Sequence, residues 1–297
     1  MNINEINYIR MKTRIIVVAA ICFLGVQTGS AQNLKILSYN IYKGMTFDTS
    51  EDKVDFVEWM KALSPDIVAL EEVNDFTQAK LESLARKYGH PYAILLKEKG
   101  FPVALTSKYP IVNARKVTDN MHHGFIQAQI LDFNIFVTHL SPHKYWKRRE
   151  EIDLLLSTIS HTNPEGKWIV AGDFNAYSPL DSLGYQDGLL KERIMMYEKK
   201  YQSHENLKDN NIDYSVIQKV LDFGFYDALK LKNDTYISTA PTLEETYMES
   251  NNATFRIDYI FVSKNLKNQV LNCSVIKDEF TDHKSDHYPV FLELRND

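Results

Sequence analysis

Short apolar runs recur along the chain, and in its first half they alternate with segments of helical periodicity. The runs LKILSYNI (34–41) and DIVALEEV (66–73) are typical of strands, and apolar residues from Phe56 to Leu63 between them have helical spacing. Strand-like runs continue as far as HYPVFLEL (287–294), and no Gly, Pro or Ser-rich linker divides them. We therefore predict one α/β domain, with two β-sheets packed face to face and helices on the outer faces.

Two stretches add detail to this pattern. Residues 181–250 are polar and rich in tyrosine, and we expect a helical insertion there, either a lid that selects substrate or a surface elaboration. Ser141 followed by Pro142 predicts the start of a helix, because Ser caps helix N-termini and Pro is tolerated in the first turn.

The N-terminus has the pattern of a secretory signal peptide. Basic residues precede an apolar segment from Ile15 to Val26, and small residues lead to an expected cut after Ala31. We expect residues 1–31 to be removed and 32–297 to form the mature domain, in the periplasm or outside the cell. The apolar segment is too short to span a membrane comfortably. A lipoprotein anchor at Cys22 is disfavoured, because Ile21 stands where a small residue is expected.

Charge and cysteine content restrict the function further. Removal of Arg10, Lys12, Arg14 and Glu5 with the peptide would change the formal net charge by −2, from −5 to −7. An acidic mature chain lacks a broad attraction for nucleic acid, although the basic run 144–149 could provide a local rim. With Cys273 as the single remaining cysteine, neither an intramolecular disulfide nor a thiolate zinc site is expected.

Polar residues stand at the ends of many of the predicted strands. They are of types that bind a hard cation or move a proton. They are Asn40, Glu72, His139, Asp173, Asn175, Arg256, Asp258, Asp286 and His287. Sites in layered α/β proteins lie where strand ends converge, so we expect these side chains to share one crevice. Carboxylate and carboxamide oxygens suit Mg²⁺ or Mn²⁺.

Six of these segments, taken in order, resemble the endonuclease/exonuclease/phosphatase superfamily. They are SYNI, ALEEV, THL, GDFN, RIDYIF and SDHYPV, and they extend from Ser38 to Val290. The resemblance implies a DNase I-like fold, a four-layered α/β sandwich with two mixed β-sheets. It also implies hydrolysis of phosphate esters with Mg²⁺ or Mn²⁺ as the cofactor.

The resemblance implies a metal site at three residues. Glu72 would be the principal ligand with Asn40 beside it, and Asp286 would support the terminal histidine or a second metal. The segment LEEV places Glu71 where the family often has Gln, so exchanged roles for the two glutamates stay open.

The same resemblance implies catalytic roles. Asp173 would orient or deprotonate the attacking water, and Asn175 would hold a phosphate oxygen. Asp258 would orient a histidine or support a metal. His287 would contact the phosphate or act as base, and His139 would act as acid or phosphate ligand; the sequence does not decide between the histidines.

Four further residues are candidates for substrate contact, each with a structural alternative. His123 begins a strand near the position where relatives touch substrate, but it could belong to an ordinary turn. His143 could reach the pocket mouth or remain outside it. Arg256 could contact phosphate or pair with a neighbouring carboxylate, and Tyr177 could contact substrate or serve packing.

The function expected is that of an exported, metal-dependent phosphoesterase acting through an activated water. A nuclease is one alternative. A sphingomyelinase-like enzyme is another; it would meet a membrane surface only as substrate and would need an apolar hairpin, for which GFYDALKL (224–231) is the nearest segment. A remote alternative is a binding module that kept the fold and lost the chemistry. No obligate protein partner is indicated.

Overall fold

The computed structural model describes residues 33–244 and 252–296. The predicted signal peptide lies outside the described residues. Within these ranges no helix combines the length and apolar composition needed to cross a bilayer.

The strands follow the apolar runs of the sequence. In chain order they are β1 (Leu34–Asn40), β2 (Ile67–Glu71), β3 (Tyr92–Leu95), β4 (Ala104–Ser107), β5 (Ile111–Val117), β6 (Gly124–Ile130), β7 (Phe133–His139), β8 (Trp168–Asp173), β9 (Leu207–Lys208), β10 (Asn211–Ile212), β11 (Tyr226–Asp227), β12 (Asp258–Val262), β13 (Val270–Val275) and β14 (Val290–Leu294).

The α-helices connect these strands. They are α1 (Tyr42–Met45), α2 (Val54–Leu63), α3 (Gln78–Lys87), α4 (Tyr145–Thr162), α5 (Leu189–Lys200), α6 (Ser215–Asp222) and α7 (Thr281–Lys284). Short 3₁₀ segments occur at Glu51–Lys53, Pro179–Tyr185 and Lys264–Gln269.

Among the described residues the strands form two six-stranded sheets and a two-stranded ribbon. The first sheet has the order β13-β14-β1-β2-β4-β3, the second β11-β12-β8-β7-β6-β5, and the ribbon joins β9 and β10. Each large sheet contains one parallel pair, β1 with β2 and β7 with β8, and its other pairs are antiparallel. Both sheets are therefore mixed, as predicted.

The apolar core lies in three layers. The central layer joins inward side chains of both sheets, such as Ile36 and Ile135. Phe56 and Leu81 of α2 and α3 pack on the outer face of the first sheet. Ile152 of α4 and residues of α6 cover the second sheet. The result is the expected four-layered α/β sandwich, because each sheet buries one face against the other sheet and one against helices.

Gly172 lies near the end of β8, where β7 and β8 come unusually close together. It lies opposite Thr138 in the parallel β7–β8 pair and has a φ of +143°. A Cβ atom at this position would lie 1.9 Å from the Thr138 carbonyl oxygen, which no side chain can tolerate. The glycine therefore permits close approach of the two strands immediately before Asp173.

The region 181–250 differs in detail from a purely helical insertion. Helix α5 and the β9–β10 ribbon lie there, but α6 packs with α4 and β11 extends the second sheet. The segment 224–231 is largely buried, with Phe225, Ala228 and Leu229 at most 4% exposed, so it presents no apolar hairpin to a membrane.

The prediction of a helix start at Ser141 was wrong. Helix α4 begins at Tyr145, after Lys144 in extended conformation. The Ser141 amide instead donates to Glu151 Oε2 over 2.8 Å, and the Ser141 carbonyl accepts from Arg148 Nη1 over 3.0 Å. Because two long side chains of α4 satisfy this turn, the chain stays non-helical for three more residues.

Candidate active site

The polar strand ends meet at one edge of the sandwich. In the second sheet, Asp173 pairs with His139 of β7 on one side and with Asp258 of β12 on the other. In the first sheet, Asn40 ends β1 opposite Glu71 of β2. Parallel strands end at a common edge, and β12 is antiparallel to β8, so its first residue lies at that same edge.

Asn40 links the two sheets. Its Nδ2 donates to Asp173 Oδ2 over 3.2 Å and to Glu72 Oε1 over 3.4 Å, and its Oδ1 accepts from the Tyr42 amide over 3.1 Å. Ser285 Oγ donates to the Asn40 carbonyl over 2.6 Å, which fixes the segment before β14 against the end of β1. Residues separated by 245 positions thus meet at one point.

The two glutamates have different positions. Glu72 has a φ of +57°, lines the pocket and accepts from the Lys43 amide at 3.0 Å. Glu71 is fully buried beneath it, with Oε1 3.4 Å from Ser38 Oγ. Burial raises the pKa of Glu72, and repulsion from Asp286 adds to this effect. The geometry therefore favours Glu72 over Glu71 as the group that faces a ligand.

Asp258 orients His287. The carboxylate lies 2.9 Å from His287 Nδ1, while His287 Nε2 is 4.0 Å from both Asp173 Oδ2 and Asp286 Oδ1. Burial lowers the pKa of His287, but Asp258 and Asp286 outweigh burial and hold that pKa well above its ordinary value. The neighbouring carboxylates therefore favour the protonated form of the His287 imidazole.

Asp173 is the centre of the cluster. It is 1% exposed, its Oδ1 accepts from the Asn175 amide at 2.8 Å, and its Oδ2 lies 3.4 Å from His139 Nε2. Burial raises the pKa of Asp173, repulsion from Asp258 adds to the rise, and His287 opposes it. A buried carboxylate with a raised pKa is a suitable general base.

His139 completes the opposite wall. Burial lowers its pKa well below the ordinary value, and the neighbouring His123 lowers it further. The two rings stack with centroids 4.2 Å apart. The Nδ1 atom of His139 is buried and has no hydrogen-bond partner in the described part of the chain. The two histidines therefore differ: burial and neighbouring imidazoles lower the pKa of His139, whereas nearby carboxylates raise the pKa of His287.

These groups line a pocket of about 350 Å³. Predicted site residues on its surface include Glu72, His139, Asp173, Asn175, Asp286 and His287. The candidate substrate contacts His123, His143 and Tyr177 also line it. Asn40 and Asp258 lie behind this surface and hold residues that face it, as their hydrogen bonds show.

Arg256 does not belong to the pocket. It is fully buried, and its guanidinium pairs with Asp181 at 2.5 Å and Asp227 at 2.6 Å. The ring of Tyr259 lies 4.5 Å from its central carbon. Contact with a substrate phosphate is therefore incorrect for Arg256, and the alternative, pairing with carboxylates, describes its position.

Sequence reasoning did not assign the far wall of the pocket. Arg193, Ile194 and Tyr197 of α5, with His204 and Asn206, line that side. The tyrosine content of 181–250 suggested a lid, but nothing in the order of residues indicated which side chains face inward. Their positions depend on how the insertion packs against the turn at 141–144.

The chain belongs to the endonuclease/exonuclease/phosphatase family. The model of that family matches residues 37–287, which include every strand end described above. A search of curated proteins found no match.

Solved structures share the fold. An AP endonuclease from Archaeoglobus fulgidus superposes with a TM-score of 0.63 at 18% identity, over 88% of this chain and 99% of that one. The 3′ phosphatase NExo from Neisseria, bound to a product DNA hairpin, superposes with a TM-score of 0.64 at 17% identity, over 88% of this chain and 99% of that one. An endonuclease/exonuclease/phosphatase from Beutenbergia cavernae superposes with a TM-score of 0.62 at 18% identity, over 89% of this chain and 72% of that one. At these identities the likeness establishes the DNase I-like fold.

Proposed function

We propose that this chain is a divalent-metal-dependent phosphoesterase that hydrolyses a phosphodiester or phosphomonoester by in-line attack of an activated water. The observation that carries this proposal is the convergence of Glu72, Asp173, Asp286 and His287 on one pocket, with Asp258 behind His287. Family membership supports hydrolysis of phosphate esters as the reaction class.

The donor set suits Mg²⁺ or Mn²⁺. The closest three-residue group is Asp173, Asp258 and His287, yet Asp258 and His287 are already hydrogen-bonded to each other. Glu72 and Asp286 face the pocket and repel each other, so they would hold the cation, which would relieve that repulsion. When bound, the ion would neutralise phosphate charge.

The protein groups around the phosphorus atom have separable tasks in this proposal. Asp173 removes a proton from the attacking water while the ester P–O bond breaks on the opposite side. The Asn175 amide side chain faces a phosphate oxygen. The protonated His287, oriented by Asp258, stabilises negative charge on phosphate and can supply a proton to the departing oxygen.

We infer that the substrate is a compact or exposed phosphate ester. The pocket of about 350 Å³ is closed on one side by α5, which favours a small molecule or a chain terminus over a continuous duplex. Nucleic acid is the second candidate, because the similar Neisseria structure is described as a 3′ phosphatase with a product DNA hairpin. Export from the cytoplasm remains part of the proposal on the strength of the N-terminal pattern.

The test is a substrate panel with purified mature protein. Bis-aryl phosphodiester, inositol phosphates, sphingomyelin and plasmid DNA are incubated with Mg²⁺ or Mn²⁺, and EDTA serves as the control. We expect metal-dependent release of product from a small or terminal phosphate ester. Absence of turnover on every substrate with either metal, together with unchanged thermal stability in EDTA, would favour the binding-module alternative.

A further inference from the structure

A pair of histidines lies at the pocket wall away from the carboxylates. His143 follows β7 by four residues, and His204 precedes β9 in the insertion. Their ring nitrogens, Nδ1 of His143 and Nε2 of His204, are 3.3 Å apart. We propose that these two side chains form a second metal site, which binds Zn²⁺ or a similar transition-metal ion and is separate from the carboxylate site.

The distance between the two nitrogens fits one shared ion. Zinc binds imidazole nitrogen at about 2.0–2.1 Å in tetrahedral geometry, which places two such nitrogens about 3.4 Å apart. His143 and His204 hold this spacing without any rearrangement. Imidazole ligands also favour Zn²⁺, Cu²⁺ or Ni²⁺ over Mg²⁺, whereas the carboxylates of Glu72 and Asp286 have the opposite preference.

The backbone holds the two histidines in place. The Glu205 amide donates to the His143 carbonyl at 2.7 Å, and the Tyr145 amide donates to the Glu205 carbonyl at 2.8 Å. Asn206 Nδ2 donates to the Pro142 carbonyl at 3.0 Å. Three hydrogen bonds therefore connect the turn after β7 with the insertion, so the two rings lie on segments that are fixed relative to each other.

The surroundings of the rings also suit a metal ion. His204 Nδ1 lies 3.2 Å from Ser203 Oγ, the type of outer contact that orients metal-binding histidines. The ring of His122 stands 5.1 Å from that of His143, on the same side of the pocket.

The site would have open coordination positions. Within the described ranges no third His, Cys, Asp or Glu ligand atom completes a close group with this pair. Both histidines line the pocket, so water or an oxygen of a bound molecule would fill the remaining positions. A bound ion would also cross-link the insertion to the core and thereby stabilise the folded state.

The experiment measures Zn²⁺ binding and does not depend on the proposed enzyme activity. Isothermal titration with Zn²⁺ in excess Mg²⁺ is carried out on the wild type and on His204→Gln and His143→Gln. The control is His161→Gln, which alters an exposed histidine of α4. Circular dichroism verifies that each variant is folded, and a thermal scan with and without Zn²⁺ provides a second measurement.

We expect the wild type and His161→Gln to bind one more Zn²⁺ per chain than His204→Gln, and to show a Zn²⁺-dependent rise in melting temperature that His204→Gln lacks. Equal stoichiometry and equal thermal shifts in the wild type and His204→Gln would overturn the proposal and leave a simple His–His hydrogen bond. If His143→Gln does not fold, the comparison of the wild type with His204→Gln tests the proposal, because His204 is half-buried and lies outside the sheets and helices.

Discussion

Asp173 occupies the point where both sheets and three neighbouring strands contribute a contact. Asn40 reaches it from the first sheet, His139 and Asp258 flank it in the second, and the Asn175 amide holds its other oxygen. Burial and the adjacent carboxylate raise its pKa, which makes it a stronger proton acceptor than an exposed aspartate. The role of this residue is therefore set by its neighbours.

Substitution of Asp173 by Asn tests the assignment of the base. Asn keeps the shape and removes the proton acceptor, so we expect the rate constant for turnover to fall about 10²-fold or more, as for loss of a general base. Steady-state kinetics on the best panel substrate measure this change. Asp132→Asn, at an exposed turn before β7, is the control and should keep its activity. Turnover of Asp173→Asn near that of the control would refute the assignment.

Asp258→Asn tests whether the Asp258 carboxylate favours the protonated form of His287. Burial favours the neutral imidazole, and loss of the Asp258 charge removes the principal opposing effect, so the pKa of His287 should fall. If the protonated form is active, the alkaline decline of the pH–rate profile should move to lower pH by about one unit or more. Profiles of kcat for both proteins provide the measurement, and coincident alkaline limbs would argue against a cationic His287.

At the scale of elements, the site depends on strand ends that approach closely. Gly172 permits the β7–β8 contact before Asp173, and the Ser285 hydroxyl connects the segment before β14 to β1. The buried group of Arg256, Asp181 and Asp227 joins the 3₁₀ segment, β11 and the strand that begins at Asp258. These contacts hold the sheet edge that carries the candidate site, although none of them touches the pocket.

Gly172→Ala should disturb both stability and activity. The new methyl group would meet the Thr138 carbonyl at 1.9 Å, so the strands must move apart. We expect a loss of at least about 2 kcal/mol in the free energy of unfolding, from backbone strain and disrupted pairing. Urea unfolding measures it. Gly89→Ala is the matched control, because its φ is also positive at +92° but its Cβ meets nothing within 4 Å. Equal losses in both variants would contradict the steric explanation.

His90, which lies between α3 and β3, makes the stability of the fold depend on pH. Its Nδ1 lies 2.8 Å from Thr106 Oγ1, its Nε2 2.9 Å from the Pro65 carbonyl, and burial lowers its pKa to about 4. The unfolded chain, with a His pKa of about 6.5, binds this proton first. The contribution of neutral His90 to the free energy of unfolding is therefore complete above about pH 6.5. It is lost as the pH falls towards about 4, and the loss is roughly 3 kcal/mol.

His90→Gln should remove this part of the pH dependence. Urea unfolding from neutral pH to about pH 4 should show a shallower decline for the variant than for the wild type. His161→Gln, in the exposed last turn of α4, should decline like the wild type. Parallel curves for wild type and His90→Gln would mean that His90 makes no contribution.

At the scale of the whole molecule, the two sheets and their helices form the DNase I-like sandwich, and the insertion narrows one end of it. The polar strand-end groups of the pocket come from both sheets, whereas the far wall comes from α5 and the turn at 201–206. The same fold can therefore present the shared phosphate chemistry to different substrates, depending on what the insertion allows to enter.

The predicted signal peptide can be tested by the location of the expressed protein and by its N-terminal residue. Expressed in a bacterial host, the protein should appear outside the cytoplasm with Gln32 as its first residue, because small residues precede a cut after Ala31. Cell fractionation and mass spectrometry of the N-terminus provide the measurement. Ala31→Arg should block the cut. An intact N-terminus on cytoplasmic protein would contradict the prediction.

Much of the site was predictable because strand periodicity and polar strand ends are local features. The strand that ends at Asp173 and the order of the motifs from Asn40 to His287 identified the fold and placed the site at a sheet edge. Ser141 shows the limit of local reasoning: its capping preference was overridden by Glu151 and Arg148, which reach back from the next helix.

The sequence by itself determined the layered α/β fold, the family and the set of polar residues at the strand ends, since these depend on periodicity and short motifs. Only the tertiary structure decided that Arg256 is buried between two carboxylates, that Glu72 faces the pocket above Glu71, and that His143 meets His204. The reason is physical: these outcomes depend on burial, charge and distance between segments far apart in the chain, and such quantities exist only after the sheets and the insertion have packed.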